Sequence, residues 1–250
     1  MSQLAEASSR GAVRVVRLKY AHNDPLFFKA CLDAVSAGNI EAAELLASGR
    51  ADVGFAPLTL AAKLGLSVVP RLAVYSVGPI ISARIFRGRG RGFAAVGDTT
   101  VNALAAAKLL GVRFEKVDDP WRALDEYEGV LAIGDEALKM VHAGIPHLVD
   151  VGQLWQEAVG TPLVYAVLAA RPGLPRADAE RVADALEASL SAFYEDPRPL
   201  VASTARRLGV SEELIAEYFS RVKYKVDSAV LKGLEKELEL LELPELKFIS

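Results

Sequence analysis

Short strand-like segments alternate with helical segments through the first two thirds of the chain, and this alternation constrains the fold more than any other feature. Residues 13–18 (VRVVRL), 52–56 (DVGFA) and 163–169 (LVYAVLA) are apolar or β-branched runs of the length typical of strands. Helical patterns with glycine stops, such as residues 41–48 before Gly49, separate them. Strands that alternate with helices predict central, mostly parallel sheets covered by helices, so the predicted fold class is α/β.

The alternation falls into two blocks, so we predict two lobes, and the chain then becomes helical towards its C-terminus. A glycine-rich break at residues 88–92 marks the predicted boundary. We assign residues 12–91 and 161–250 to the first lobe and residues 92–160 to a second, inserted lobe. Within the first lobe, residues 26–35 predict a helix. Such a layout places a ligand cleft between the lobes, at the carboxyl ends of strands.

The charge balance and the single cysteine limit the partners and the compartment. The net charge is -3, so we predict no nucleic-acid partner, and we interpret the basic run 84–91 (RIFRGRGR) as a solvated loop. Cys31 is the only cysteine, so no intrachain disulfide is possible. The N-terminal residues lack the pattern of a secretory signal, and no apolar run approaches the length of a membrane span. We therefore expect a cytoplasmic protein without a membrane partner, and the sequence leaves its oligomeric state open.

The strongest local feature is a strand–turn–helix junction in the second lobe, Gly97-Asp98-Thr99-Thr100, with Asn102 just beyond. Glycine lets the backbone approach a ligand closely, while hydroxyls, free N–H groups and the helix dipole favour an anion. The alternative is that Thr99 only caps its own helix. We predict that these residues bind a small anionic carboxylate.

Two further turns follow predicted strands. Gly134-Asp135 has the same strand–turn–helix pattern, and Asp135 either accepts a hydrogen bond from a ligand hydroxyl or caps its helix. His22-Asn23-Asp24 follows the first strand. The amide of Asn23 can donate and accept at once, and His22 or Asp24 could act as a base. The alternative for this segment is an Asx turn before proline.

The remaining candidate substrate-binding positions follow other strands of the first lobe. Some lie at a helix start, which presents free N–H groups, and the others are small residues near the crossover between the lobes. They are Pro57, Leu58, Thr59, Ser76, Gly78 and Ser82. The sequence has no GxGxxG fingerprint, phosphate loop or GxSxG elbow, and its three histidines lack the usual metal-ligand spacing. We expect no metal and no cofactor, and any catalysis would be proton transfer in an organised polar pocket.

Several stretches carry a resemblance to a known family. They are ELLASGRADVGFAP from Glu44, SVGP from Ser76 with Ser82, IGDEAL from Ile133, and VDVGQLW from Val149 with GTPL from Gly160. Over roughly residues 13–225 the chain resembles the menaquinone-biosynthesis proteins of the futalosine route, chorismate dehydratase and its relative 1,4-dihydroxy-6-naphthoate synthase. The resemblance implies a two-lobed, periplasmic-binding-protein-like fold of type II with the substrate in the cleft.

The resemblance also implies roles for individual residues. Chorismate dehydratases convert chorismate into 3-[(1-carboxyvinyl)oxy]benzoate without a cofactor, and an asparagine after the first strand, matched here by Asn23, is an expected site residue. Ser76 matches the serine of the SxGP segment, and we assign Asn23 and Ser76 as the catalytic residues. Residues 98–100 match the anion-binding loop of the second lobe, but they lack the arginine that dehydratases usually carry there.

The sequence predicts a carbon–oxygen lyase of the chorismate dehydratase type, and two alternatives stay open. A non-catalytic solute-binding protein for a small anion would use the same cleft. A 1,4-dihydroxy-6-naphthoate synthase is favoured by the turn HNDPLFF, which is closer to the PNDTF turn of those enzymes. Gly134-Asp135, however, replaces the histidine that those enzymes carry near the second strand of lobe two.

Overall fold

The computed structural model describes residues 12–97 and 100–250, which form two β-sheets flanked by helices. The strands are β1 (Val15–Leu18), β2 (Ala34–Ala37), β3 (Val53–Pro57), β4 (Ser67–Ser76), β5 (Ala83–Arg87), β6 (Phe93–Ala95), β7 (Phe114–Lys116), β8 (Gly129–Ile133), β9 (His147–Asp150), β10 (Leu163–Ala170), β11 (Lys223–Lys225) and β12 (Lys247–Phe248). The helices are α1 (Asp24–Phe27), α2 (Asn39–Ala47), α3 (Leu58–Lys63), α4 (Val101–Leu110), α5 (Pro120–Glu126), α6 (Gly134–His142), α7 (Val151–Val159), α8 (Arg176–Glu195), α9 (Arg198–Leu208), α10 (Glu212–Arg221) and α11 (Ser228–Leu240).

The first sheet brings the ends of several strands to one edge. Its order is β11-β4-β10-β3-β1-β2, and β12 also pairs with β4. β1 is parallel to β2 and β3, whereas β10 runs antiparallel to β3 and β4, with Ala166 opposite Pro57 and Leu163 opposite Ser76. The carboxyl ends of β1, β3 and β4 therefore meet the beginning of β10 at the same edge.

The second sheet has the order β7-β6-β8-β5-β9. β6 is parallel to β7 and β8, whereas β5 is antiparallel to β8 and β9. Both sheets are thus mixed, although the alternation predicts mostly parallel ones. The physical reason is that β5 and β10, which carry the chain from one sheet to the other, run against their neighbours.

The boundary between the lobes lies earlier in the chain than the predicted residues 91 and 92, because β5 belongs to the second sheet. β5 lies within the predicted first lobe, yet it pairs with β8 of the second sheet, with Ile85 opposite Leu131. The chain therefore crosses to the second sheet at residues 77–82 and returns at residues 160–162.

The glycines that predict a flexible break have a different role. A Cβ on Gly88 would lie 2.1 Å from the carbonyl oxygen of Tyr127, and one on Gly90 would lie 1.8 Å from that of Glu126. These distances are far inside van der Waals contact, so glycine is needed for close packing of the backbone against the end of α5.

Buried apolar side chains form a core that is continuous across the two sheets. Ile80 and Ile81 of the outgoing crossover belong to it, together with Val151 and Trp155 of α7. The lobes are therefore packed together where the chain crosses between them. Within residues 12–97 and 100–250, no helix is long and apolar enough to cross a bilayer.

Candidate active site

Asn23 occupies the turn that follows β1, at the edge where the strands of the first sheet end. A 3-10 turn (Ala21–Asn23) leads into α1, where Pro25 suits the first helical turn because the amide proton it lacks would have no helical partner. The Asn23 Oδ1 accepts a hydrogen bond from the Leu18 backbone N–H at 2.8 Å. Its Nδ2 is buried and has no partner among the described residues. A buried donor without an acceptor is costly, so this amide is a group to which a ligand oxygen can bind favourably.

Asp24, predicted as a possible base, is committed to ion pairs. Its Oδ1 accepts from Arg17 at 2.6 Å, and its Oδ2 accepts from Arg207 at 2.6 Å and from the Thr204 hydroxyl at 3.0 Å. The carboxyl group is almost fully buried beside these donors. Such a carboxylate holds α1, β1 and α9 together, and both of its oxygens already accept hydrogen bonds.

The turn after β1 contacts the beginning of α6 in the second lobe. Tyr20 and His22 stack with ring centroids 5.8 Å apart, and a Cβ on Gly134 would lie 3.6 Å from the Tyr20 ring. The Asp135 Oδ1 accepts from the Ala21 N–H at 2.9 Å. Two of the predicted constellations, one from each lobe, are therefore adjacent.

Asp135 does not take the predicted capping role, and its predicted hydrogen bond to a ligand stays a prediction. Instead, its carboxylate joins the lobes by accepting from Ala21 and, at 3.2 Å, from Arg207. Burial raises the pKa of Asp135 above its ordinary value, and the hydrogen bond from Ala21 and the charge of Arg207 oppose that shift. Arg207 thus bridges the carboxylates of Asp24 and Asp135.

The burial of His22 makes it a poor base and predicts a pH effect on stability. Burial lowers the pKa of His22 from 6.5 to about 4, with Asp24 opposing the shift, and its Nε2 is buried without a partner among the described residues. The unfolded chain therefore binds a proton between pH 6.5 and 4 that the folded protein excludes. This difference lowers the unfolding free energy of the wild type as the pH falls, by about 3 kcal/mol near pH 4. We expect the His22→Gln variant not to show this loss.

Urea unfolding of the wild type and of His22→Gln, followed by circular dichroism at several pH values from 7 to 4, measures this effect. The difference between the two proteins should shrink or reverse as the pH falls, because only the wild type carries the penalty. Parallel curves would contradict the prediction.

Ser76 lies at the end of β4, where its hydroxyl contacts two polar groups and α7 of the second lobe approaches it. Its Oγ donates to the Gly78 carbonyl oxygen at 3.0 Å and lies 2.7 Å from the Tyr165 hydroxyl. A Cβ on Gly152, at the beginning of α7, would lie only 2.9 Å from the Ser76 Oγ. Glycine at position 152 is therefore required for α7 to approach this hydroxyl pair.

The other predicted residues of the first lobe lie at the end of β3, in the first turn of α3 and in the crossover, and their predicted contacts with a substrate stay predictions. Pro57 ends β3, and Leu58 and Thr59 are buried in the first turn of α3. The Ser82 backbone oxygen accepts from the Gly134 N–H at 2.7 Å, which ties the crossover to the beginning of α6.

The loop of the second lobe is described in part. Asp98 and Thr99 lie outside the described residues, so their predicted roles stay predictions. Gly97 has a φ of 77°, and Thr100 caps α4 by accepting from the Ala103 N–H at 3.3 Å. Asn102 is buried, and its Oδ1 has no partner among the described residues. The side chain of Asn102 therefore keeps an acceptor available.

The family model described as menaquinone biosynthesis matches residues 32–242. This chain belongs to the menaquinone-biosynthesis family. The chorismate dehydratase of Thermus thermophilus is 29% identical over 204 residues, which cover 72% of this chain and 74% of that protein. The predicted family is therefore confirmed.

Solved structures confirm the predicted periplasmic-binding-protein-like α/β fold. A crystal structure of a protein from Archaeoglobus fulgidus is similar with a TM-score of 0.75 and 19% identity, over 92% of this chain and 97% of that chain. A Candida albicans protein described as having the generic periplasmic binding protein fold is similar with a TM-score of 0.69 and 15% identity, over 93% and 90% of the two chains.

The VDVGQLW stretch of this menaquinone-biosynthesis chain fixes the crossover between the lobes. The buried carboxylate of Asp150 caps α7 and also accepts from the outgoing crossover. Its donors, at 2.9 to 3.3 Å, are the backbone N–H groups of Ile80, Ile81, Gly152 and Gln153 and the guanidinium of Arg84. Arg84 therefore belongs to β5 and to a buried ion pair, which corrects its assignment to a solvated loop.

Asp150 and Tyr165 are the residues near this site that sequence reasoning missed. A buried Asp before a helix gives the signal of an ordinary cap, and Tyr165 lies inside an apolar strand pattern. Ile81 adds a further sign of constraint, because it is a β-branched residue with a φ of 71°. Strained backbone held by a buried carboxylate is typical of the neighbourhood of functional sites.

Neither a metal cluster nor the groove beside α11 coincides with the residues described above. Among the described residues, no cluster of three His, Cys, Asp or Glu side chains is arranged to hold a metal ion. A groove of about 680 Å³ lies between α11 and the C-terminal residues, lined mostly by leucines and glutamates. The unpaired amide of Asn23 and the hydroxyl pair lie in other parts of the fold, so we place the candidate site at the junction of the lobes.

Proposed function

We propose that this protein is a cofactor-independent dehydratase that acts on chorismate. The observation that carries the proposal is the buried, unpaired Nδ2 donor of Asn23 at the junction between the lobes. Membership of the menaquinone-biosynthesis family and the similarity to a chorismate dehydratase support the choice of substrate.

The reaction removes the ring hydroxyl of chorismate and one ring proton as water, and the ring becomes aromatic. The amide of Asn23 donates to a substrate oxygen and so fixes the orientation of the ring, and Ser76 lies at the same sheet edge. The Thr100 hydroxyl and the N–H groups at the beginning of α4 offer donors to a carboxylate of the substrate.

The proton acceptor in this proposal is a carboxylate of the substrate. The titratable side chains of the turn after β1 are poorly suited to that task. Asp24 is held by two arginines and a hydroxyl, and His22 has a pKa of about 4, so it is a weak base. Asp135 already accepts from Ala21 and Arg207.

Incubation of the purified protein with chorismate, followed by mass spectrometry, tests the proposal. We expect a product lighter by one water that co-elutes with authentic 3-[(1-carboxyvinyl)oxy]benzoate, formed without added metal or cofactor. A folded protein that leaves chorismate unchanged would overturn the proposal. If the thermal midpoint then rises with another small anion, the cleft belongs to a binding protein.

A further inference from the structure

Tyr165 lies at an irregularity of β10 beside the candidate site. Val164 pairs with Tyr75 and Ala166 pairs with Val74, so Tyr165 is an extra residue in a β-bulge. Bulges redirect a side chain and are frequent beside active sites. Here the Tyr165 hydroxyl contacts Ser76 of the first sheet and lies 3.1 Å from the position of a Cβ on Gly152 in α7. It therefore lies where the two lobes meet, and its side chain is only partly buried.

A buried carboxyl group supports the bulge. The Glu237 Oε2 accepts from the Val164 N–H at 2.8 Å, next to the extra residue. Glu237 is fully buried, and burial raises its pKa well above its ordinary value. α11 thus supplies a partner for a backbone donor at the bulge.

The hydrogen bonds that the Tyr165 and Ser76 hydroxyls already make determine which groups they can still offer to a ligand. Ser76 has one hydroxyl proton, and it goes to the Gly78 carbonyl oxygen, which can only accept. In the 2.7 Å contact, the donor must then be the Tyr165 hydroxyl. Burial raises the pKa of Tyr165 well above 10, so its proton stays in place at neutral pH. Both protons are used inside the protein, and only oxygen lone pairs remain for a ligand.

From these hydrogen bonds we propose that the Tyr165–Ser76 hydroxyl pair binds the substrate hydroxyl that the reaction removes, with Tyr165 as a further substrate-contacting residue. The proposal rests on the function proposed above. Chorismate carries two carboxylates, which can only accept, and one ring hydroxyl, which can donate. The lone pairs of Tyr165 and Ser76 match the hydroxyl, whereas the Asn23 amide matches an acceptor oxygen.

The Tyr165→Phe variant tests the inference, because the dehydrated product keeps both carboxylates but has lost the hydroxyl. We expect kcat/KM for chorismate to fall about tenfold, as for the loss of one neutral hydrogen bond. The Kd of 3-[(1-carboxyvinyl)oxy]benzoate, measured by calorimetry, should stay within twofold of the wild type.

Tyr75→Phe is the matched control, since it removes a phenol oxygen that donates to the Lys225 carbonyl instead. It should leave both quantities within twofold. Equal weakening of chorismate and product by Tyr165→Phe would indicate a merely structural role and overturn the inference, as would no change in either. In both cases wild-type turnover of chorismate would still stand. Absence of wild-type turnover would instead reject the proposed function and this subsite with it.

Discussion

Asn23→Asp should lower the turnover of chorismate by two orders of magnitude or more. Asp keeps the oxygen that accepts from Leu18 at 2.8 Å, but it replaces the unpaired amide donor with an acceptor. An ionised carboxylate at this position could only accept, and it would face an anionic substrate where a donor is needed. Loss of one well-placed donor from a water-excluded site typically costs about 10²–10³ in kcat, and repulsion adds to that loss.

Asn39→Asp is the matched control for this change. Asn39 begins α2, where an acidic residue is favourable for the helix dipole, so activity should stay within twofold. Initial rates with chorismate measure the activity of the wild type and both variants. Circular dichroism of the three proteins shows whether each is folded. An Asn23→Asp variant that is folded and within threefold of wild-type activity would remove Asn23 from the proposed mechanism.

Asp150→Asn should reduce the free energy of unfolding by about 3–5 kcal/mol, the range for breaking a buried ion pair. The Asp150 side chain is 2% exposed, and its two oxygens accept from five donors on the crossover, α7 and Arg84. The Asn variant keeps one acceptor oxygen, points an NH₂ group at other donors and leaves Arg84 without its charge partner.

Asp119→Asn provides the comparison, because Asp119 also caps a helix by accepting from two N–H groups, those of Trp121 and Arg122, but it is exposed. Its loss should cost about 1 kcal/mol or less, as for an ordinary cap. Urea unfolding monitored by fluorescence distinguishes the two variants. Similar losses for both would show that the buried network at Asp150 adds nothing beyond capping.

The turn after β1 and the end of β4 were predictable because their signals are local. Asn before Asp-Pro at the end of a β-branched run predicts a polar turn, and the structure places Asn23 there with a free donor. Ser76 likewise follows from its position at the end of a long strand. The fold class and the family also follow from patterns that lie within short segments.

Features that depend on distant segments were not predictable. Residues 26–35 predict a helix, but the structure forms α1 and then β2, because Ala34 and Val35 pair with β1. Gly88 and Gly90 resemble a flexible linker until the backbone of α5 packs against them. Tyr165 gains its position from a bulge whose register depends on β4 and on Glu237 of α11. None of these partners is near in sequence.

The chain crosses between the lobes twice, at residues 77–82 and 160–162, and this fixes how the molecule can open. The two crossovers leave and re-enter the first sheet at the paired positions Ser76 and Leu163, which define an axis, so the lobes can rotate about that axis but cannot slide apart. Ser76 and Tyr165 directly flank the crossovers and move little in such a rotation. The bond between Ala21 and Asp135 lies beside the outgoing crossover, because the neighbouring Gly134 N–H donates to the Ser82 oxygen, so it too stays close to that axis. A substrate would thus meet its hydroxyl subsite already assembled.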